Sequence, residues 1–302
     1  MRSSLRAVVA ALALLTALPA CAKQPTPKPR AANDADPALW VVKDRDTTIY
    51  LFGTIHVLKP GLTWFDEAVK TAFDKSGTVM LELVQPPAAE MQALVLREGT
   101  VPPGGPTLTQ QLPADKRAAY AKALSDMGLP AAAFDQARPW YAAVNLSLLP
   151  LIKLGYDPAN GPEEVISAAA KRAGKPVAGL ETAAEQIGYF AKLSEGAQVE
   201  FLTSTVDELP SVGTSMQKMV RDWSNGDPAA LAKEINDSLK DSPEVARVLL
   251  TERNGRWAQW IKRRMAQPGV VFVAVGAGHL AGPESVQAQL QRIGVRSARV
   301  NY

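Results

Sequence analysis

Two histidines occur in the whole chain, and both close the same kind of motif, Gly53-Thr54-Ile55-His56 and Gly276-Ala277-Gly278-His279. Each follows an apolar, β-forming run, Thr47 to Phe52 before the first and Val270 to Val275 before the second. Glycine at the exit of a strand lets the backbone turn without a Cβ penalty and approach a ligand closely. An imidazole just beyond it projects toward the crevice at the carboxyl ends of strands, where α/β proteins bind ligands. A third run, Thr78 to Val84, holds Glu82 between Leu81 and Leu83, and a charge there is costly unless paired or ligating. Two imidazoles and a carboxylate are a common ligand set for a catalytic divalent metal. Plainer readings stand beside this one. A histidine in a loop after a strand is often an ordinary polar residue, and Glu82 could form a buried ion pair with an arginine such as Arg253.

The elements that must carry these residues are legible in the periodicity. Ala38 to Lys43 and Thr47 to Phe52 read as strands joined by a turn at Asp44-Arg45-Asp46. Trp64 to Phe73 has helical spacing, and Thr78 to Val84 is a buried strand stopped by Pro86-Pro87. Ala88 to Leu154 reads as short helices, its apolar stretch from Tyr141 to Leu154 being a buried helix or a helical pair. Glu163 to Ala173 is helical, Lys175 to Gly179 is a short strand, and Thr182 to Met265 is helical with breaks at Pro210, Gly226-Asp-Pro228 and Ser242-Pro243. The strand from Val270, a helix from Glu284 to Ile293 and a closing strand from Ser297 to Asn301 complete the chain. The fold class is therefore α/β or α+β, a mixed sheet built from N- and C-terminal strands with a large helical insertion in the middle.

The amino terminus reads as an address. Arg2 and Arg6 precede an apolar run from Ala7 to Leu18, which ends in Leu18-Pro19-Ala20-Cys21. That is the layout of a secretory signal, and the run is too short to cross roughly 30 Å of hydrocarbon. Residues 1–21 are assigned to a signal peptide with a lipobox-like Cys21, with cleavage after Ala22 as the rival. Residues 22–37 are assigned to a flexible linker, and 38–302 to a single domain. The expected setting is export to the cell envelope as a periplasmic lipoprotein, held in a membrane by a lipid on Cys21. Ala22 rather than Asp after that cysteine resembles sorting to an outer membrane.

Composition narrows the function classes. Of 302 residues, 47% are hydrophobic and a single one is Cys, which excludes a disordered chain and a disulfide-stapled scaffold. Removing Arg2 and Arg6 leaves 31 basic residues against 30 acidic ones, with no basic block to neutralise a phosphate backbone, so nucleic acid is not an expected partner. There is no Gly-x-Ser-x-Gly elbow for a serine hydrolase. Gly276-x-Gly278 lacks the third glycine of a dinucleotide fingerprint at the required place, Gly282 being one position late.

Trp40, the Gly53–His56 motif followed by Trp64, Leu81-Glu82, Gly155-Tyr156-Asp157, Leu180-Glu181 with Glu185-Gln186, Arg253-Asn254 and Val275 to Leu280 together resemble the TraB/GumN family, itself similar to the animal Tiki proteases. The resemblance covers nearly all of the chain after the linker. It implies a metal-dependent hydrolase, peptidase-like, acting on a peptide or protein substrate. His56 and His279 would hold one divalent cation (Mn, Co or Zn), and Glu82 would complete the shell or serve as general base toward a water. Arg253 would stabilise an oxyanion, or be an ion-pair partner. Glu181 would orient a ligand histidine, or favour a helix dipole beside Thr182. Where the family pattern leads to an Asp after Gly155-Tyr156-Asp157, this chain has Gly161-Pro162-Glu163, and the position is given no role. The alternative function is a non-catalytic envelope lipoprotein that binds a peptide, metal or haem in support of polysaccharide export or assembly.

Overall fold

A computed structural model describes residues 33–101, 104–239 and 242–302; the signal segment and Cys21 lie outside them. The described strands form one six-stranded sheet: β1 (Leu39–Lys43), β2 (Thr47–Thr54), β3 (Thr78–Leu83), β4 (Val177–Glu181), β5 (Gly269–Gly276) and β6 (Ala298–Arg299), in the order β4-β3-β5-β2-β1-β6. β4, β3, β5 and β2 run parallel, whereas β1 pairs antiparallel with β2 on one side and with the edge strand β6 on the other. The class is α/β with a mixed sheet.

Thirteen α-helices lie among the described residues: α1 (Glu67–Lys75), α2 (Ala88–Gly99), α3 (Leu108–Gln111), α4 (Arg117–Asp126), α5 (Pro139–Lys153), α6 (Pro162–Arg172), α7 (Ala183–Ala191), α8 (Glu195–Glu208), α9 (Val212–Ser224), α10 (Pro228–Leu239), α11 (Pro243–Ala246), α12 (Glu252–Arg264) and α13 (Val286–Arg292). No helix among these residues is long and apolar enough to cross a membrane.

β2 and β5 are central because both of their faces are apolar, which suits a strand covered by helices on each side. Val271, Val273 and Val275 of β5, with Ile49 and Leu51 of β2, pack on Trp257, Ala258 and Ile261 of α12 and Leu290 of α13. Phe272, Ala274 and Phe52 point the other way, onto Phe73 of α1, Ile166 of α6 and Trp223 of α9. A separate helical core, with Leu108, Tyr120, Ala142, Leu146 and Leu202, fills the insertion.

The differences from the sequence expectation are local. Ala35, assigned to the linker, is 0% exposed; the Ala35 and Asp36 N–H groups bond Thr63 O and Ser224 O, so the packed unit starts at Asn33. Its short apolar side chain finds a partner across the chain that local composition does not announce. β4 begins and ends two residues later than read, since β3 offers partners from Val79 to Leu83. Tyr141 to Lys153 lies in one helix, α5, that tolerates Pro150 three residues from its end, with Leu154 as its C-cap. α1 starts at Glu67 rather than Trp64, whose ring instead stacks on Phe52.

Candidate functional site

Parallel pairing of β2 with β5 removes the sequence distance between the two Gly-x-x-His motifs. Gly53 lies opposite Val275 and Thr54 opposite Gly276, so the motifs leave the sheet side by side, offset by one residue. Glycine at 53 eases this close approach: a Cβ there would stand 3.1 Å from the Ala277 Cα, tighter than most such contacts. Its carbonyl accepts a 2.8 Å hydrogen bond from the buried Trp223 indole, which anchors the strand exit.

The groups meet at Gly276. A Cβ on that residue would lie 3.1 Å from Glu82 Oε1, 3.5 Å from His56 Nε2 and 3.6 Å from His279 Cδ2. All three predicted residues thus face one small space that glycine leaves open. The Gly276 N–H donates to Glu82 Oε1 at 2.6 Å, and Gln186 Nε2 lies 3.3 Å from Glu82 Oε2. His279 Nε2 stands 3.6 Å from Glu82 Oε1.

Arg253 crosses the cluster. Its Nη2 donates to Glu82 Oε2 and to Glu181 Oε2, both at 2.8 Å, and its Nε to the Glu181 carboxylate at 2.9 and 3.1 Å. Its Nη1 lies 3.0 Å from His279 Nε2. The guanidinium packs over the Trp257 ring at 4.8 Å, and that ring lies 4.4 Å from the His279 imidazole. The ion pair weighed for Glu82 is therefore present, alongside the convergence at Gly276. Glu181 binds Arg253 and touches neither histidine; the residue that orients His279 is Asn254, whose Oδ1 lies 2.6 Å from His279 Nδ1. A β4 side chain is kept from the imidazole because the guanidinium lies between them.

The two histidines sit in opposite electrostatic settings. Burial drives the His279 pKa down to about 3 against the attraction of Glu82, with Arg253 and His56 adding to the fall. The ring is neutral at pH 7. For Glu82, burial opposes ionisation, but His279, Arg253, His56 and the Gly276 N–H outweigh it and hold the carboxyl well below its usual range. At His56, surrounding protein opposes the charge, yet hydrogen bonding and attraction to Glu163 raise the pKa to about 9. Its side chain is 68% exposed, so water shares in solvating that charge and the ion pair carries correspondingly less energy.

Glu163 and Asn254 are the site residues to which sequence reading gave no part. Glu163, on the first turn of α6, lies 2.6 Å from His56 Nδ1 and accepts from the Thr54 hydroxyl at 2.5 Å. A Cβ at Gly161 would stand 2.5 Å from the His56 carbonyl, so a glycine lets the α6 entry close on the histidine. The signal for Asn254 was available. Arg253, Asn254, Trp257, Ala258 and Ile261 are the buried stripe of α12, and two polar residues on a core-facing stripe need partners.

The donor set fits a divalent cation in kind: two imidazoles with their Nδ1 atoms held by other groups, an ionised carboxylate, and a cradle that a Cβ would fill. As they stand, no three His, Cys, Asp or Glu side chains among the described residues are grouped to hold an ion.

Comparison with known proteins follows the same residues. The model of the TraB/PrgY/gumN family matches residues 38–299, which include every described member of the cluster. Over 170 residues the chain is 30% identical to the uncharacterized protein YbaP of Escherichia coli (strain K12), and equally to that of Shigella flexneri. Each match spans 55% of this chain and 61% of the relative. No solved structure matches.

Proposed function

The chain belongs to the TraB/PrgY/gumN family, and from that premise we propose that it is a metal-dependent, peptidase-like hydrolase of the bacterial cell envelope. The observation that carries this reading is the convergence of His56, Glu82 and His279 on the side of Gly276 that lacks a Cβ. His279, and His56 after giving up the proton that Glu163 favours, would hold a divalent cation, Mn, Co or Zn, and that ion would supply Lewis acidity toward a substrate carbonyl and a water. Arg253 is held in place by Glu181 independently of its contact with His279. Glu82, ionised at neutral pH, would complete that shell or take a proton from the attacking water. Arg253 is a fixed positive charge beside the place where negative charge develops on the substrate oxygen. His56 is the exposed member and faces the incoming peptide.

The leading segment completes the setting. Residues 1–21 direct export, and acylation of Cys21 anchors the protein, with each buried methylene worth about 0.8 kcal/mol. Replacing Cys21 by Ser releases the protein from membranes into the soluble fraction if this is right; unchanged membrane retention overturns it.

Metal analysis of the purified chain, coupled to a peptide-library screen with Mn, Co or Zn, tests the hydrolase. Retention of stoichiometric metal by both His56→Ala and His279→Ala ends the metal site. One observation favours a second reading, a non-catalytic binding lipoprotein: Arg253 already engages both Glu82 and His279, as in a buried ion network built for rigidity. A Soret band in the purified protein, or failure to cleave any peptide with metal present, supports that alternative.

A further inference from the structure

We propose that Asn254 is a positioning residue that fixes His279 as the Nδ1–H tautomer and so directs the lone pair of Nε2 into the site. The inference rests on the metal reading above only for what that lone pair binds.

The chain of hydrogen bonds leaves one assignment. Asn254 Nδ2 donates to the Glu284 carbonyl at 2.7 Å. A carbonyl oxygen only accepts, so the edge of the amide facing Glu284 is the NH2, and the oxygen is turned to His279. That oxygen lies 2.6 Å from Nδ1 and also only accepts, so Nδ1 carries the proton. On the far side of the ring, Arg253 Nη1 lies 3.0 Å from Nε2. A guanidinium has donors and no acceptor, so Nε2 presents its lone pair. The two constraints agree. They act on different atoms of the ring, Asn254 accepting from Nδ1 and Arg253 donating to Nε2, and only the Asn254 bond shields the Nδ1 proton.

The anchor is rigid at each link. Asn254 is 1% exposed and His279 5%, both in a region where an unmatched donor is expensive. Trp257, one turn along α12 from Asn254, packs against the imidazole at 4.4 Å and fixes its plane. Glu284 precedes α13, so the C-terminal element sets the amide that sets the histidine.

Nitrogen NMR of the purified, metal-free chain labelled with 15N-histidine tests this, since only two rings contribute signals. The expected result is a protected Nδ1–H proton on His279 with a lone-pair-type Nε2. Asn254→Ala should lose that protected proton and weaken Mn2+ binding about 10- to 100-fold, while Asn254→Asp, which keeps an acceptor, should retain the pattern. An Nε2-protonated His279 in the parent chain, or an Nδ1–H equally protected from exchange in a folded Asn254→Ala chain, overturns the proposal. Should Asn254→Ala fail to fold, the parent spectrum and Asn254→Asp decide. If the parent chain binds no Mn2+, the metal reading fails, and the nitrogen pattern still judges the role of Asn254.

Discussion

His56 Nδ1 and Glu163 Oε1 lie 2.6 Å apart, joining the end of one strand to the start of a helix 107 positions later. Glu163 is in turn fixed by the Thr54 hydroxyl, so the imidazole is held from its own strand and from α6 together. Glu163→Gln removes the charge but keeps the shape. The His56 pKa, raised to about 9, should then fall toward the ordinary 6.5, read from the ring-proton shift against pH. A histidine raised on folding adds stability that is complete below its unfolded pKa and is lost as pH rises through the folded one. The parent chain should therefore lose more stability than Glu163→Gln between pH 6.5 and about 9, measured by urea unfolding at the two ends. Equal losses would refute the pairing as a source of stability.

Arg253 bonds two buried carboxylates, Glu82 and Glu181. Arg253→Met leaves them uncompensated and should cost about 3–5 kcal/mol in urea unfolding at pH 7. Adding Glu82→Gln and Glu181→Gln to the same chain should recover much of that loss. A near-neutral single substitution would mean that water reaches the cluster and replaces the guanidinium.

Gly276→Ala tests the space on which the three side chains converge. The backbone at 276 has φ −49°, open to any residue, so only sterics change. The added methyl meets Glu82 Oε1 at 3.1 Å; a stability loss of about 1–3 kcal/mol from overpacking is expected, together with loss of Mn2+ uptake by calorimetry. Full uptake in this variant would put the cation elsewhere.

Trp223→Phe keeps most of the packing against Phe52 and Trp64 and deletes the donor to the Gly53 carbonyl. A buried acceptor without its partner costs about 1–3 kcal/mol. Urea unfolding should show that loss, and Trp223→Leu should show more because the ring contacts go too.

Much of the sheet could be read directly. β1, β2, β3 and β5 are runs of β-branched and aromatic residues with turn formers at their ends, and their burial is dictated by composition alone. Helix breaks at Pro210, Gly226-Asp-Pro228 and Ser242-Pro243 follow from the backbone restrictions of proline and glycine, although α5 accommodates Pro150 near its end. Less visible was the place of Ala35, because a small residue between polar neighbours carries no periodic signal. Glu163 was unreadable for another reason: an acid on the first turn of a helix has a sufficient local explanation in the dipole, which conceals a distant partner.

By itself the amino-acid sequence determined which residues could do chemistry here: two histidines in matching strand-exit motifs, one acid inside an apolar strand, and an α/β frame to carry them. Those choices are local, set by side-chain type, periodicity and glycine's lack of a Cβ. Tertiary structure alone decided that β5 lies beside β2 with Thr54 opposite Gly276, that Arg253 bridges Glu82 to Glu181, and that Asn254 rather than Glu181 holds His279. Strand order and register maximise the buried apolar surface and minimise the unpaired polar groups of the whole molecule, and no window of sequence contains both partners of such a contact.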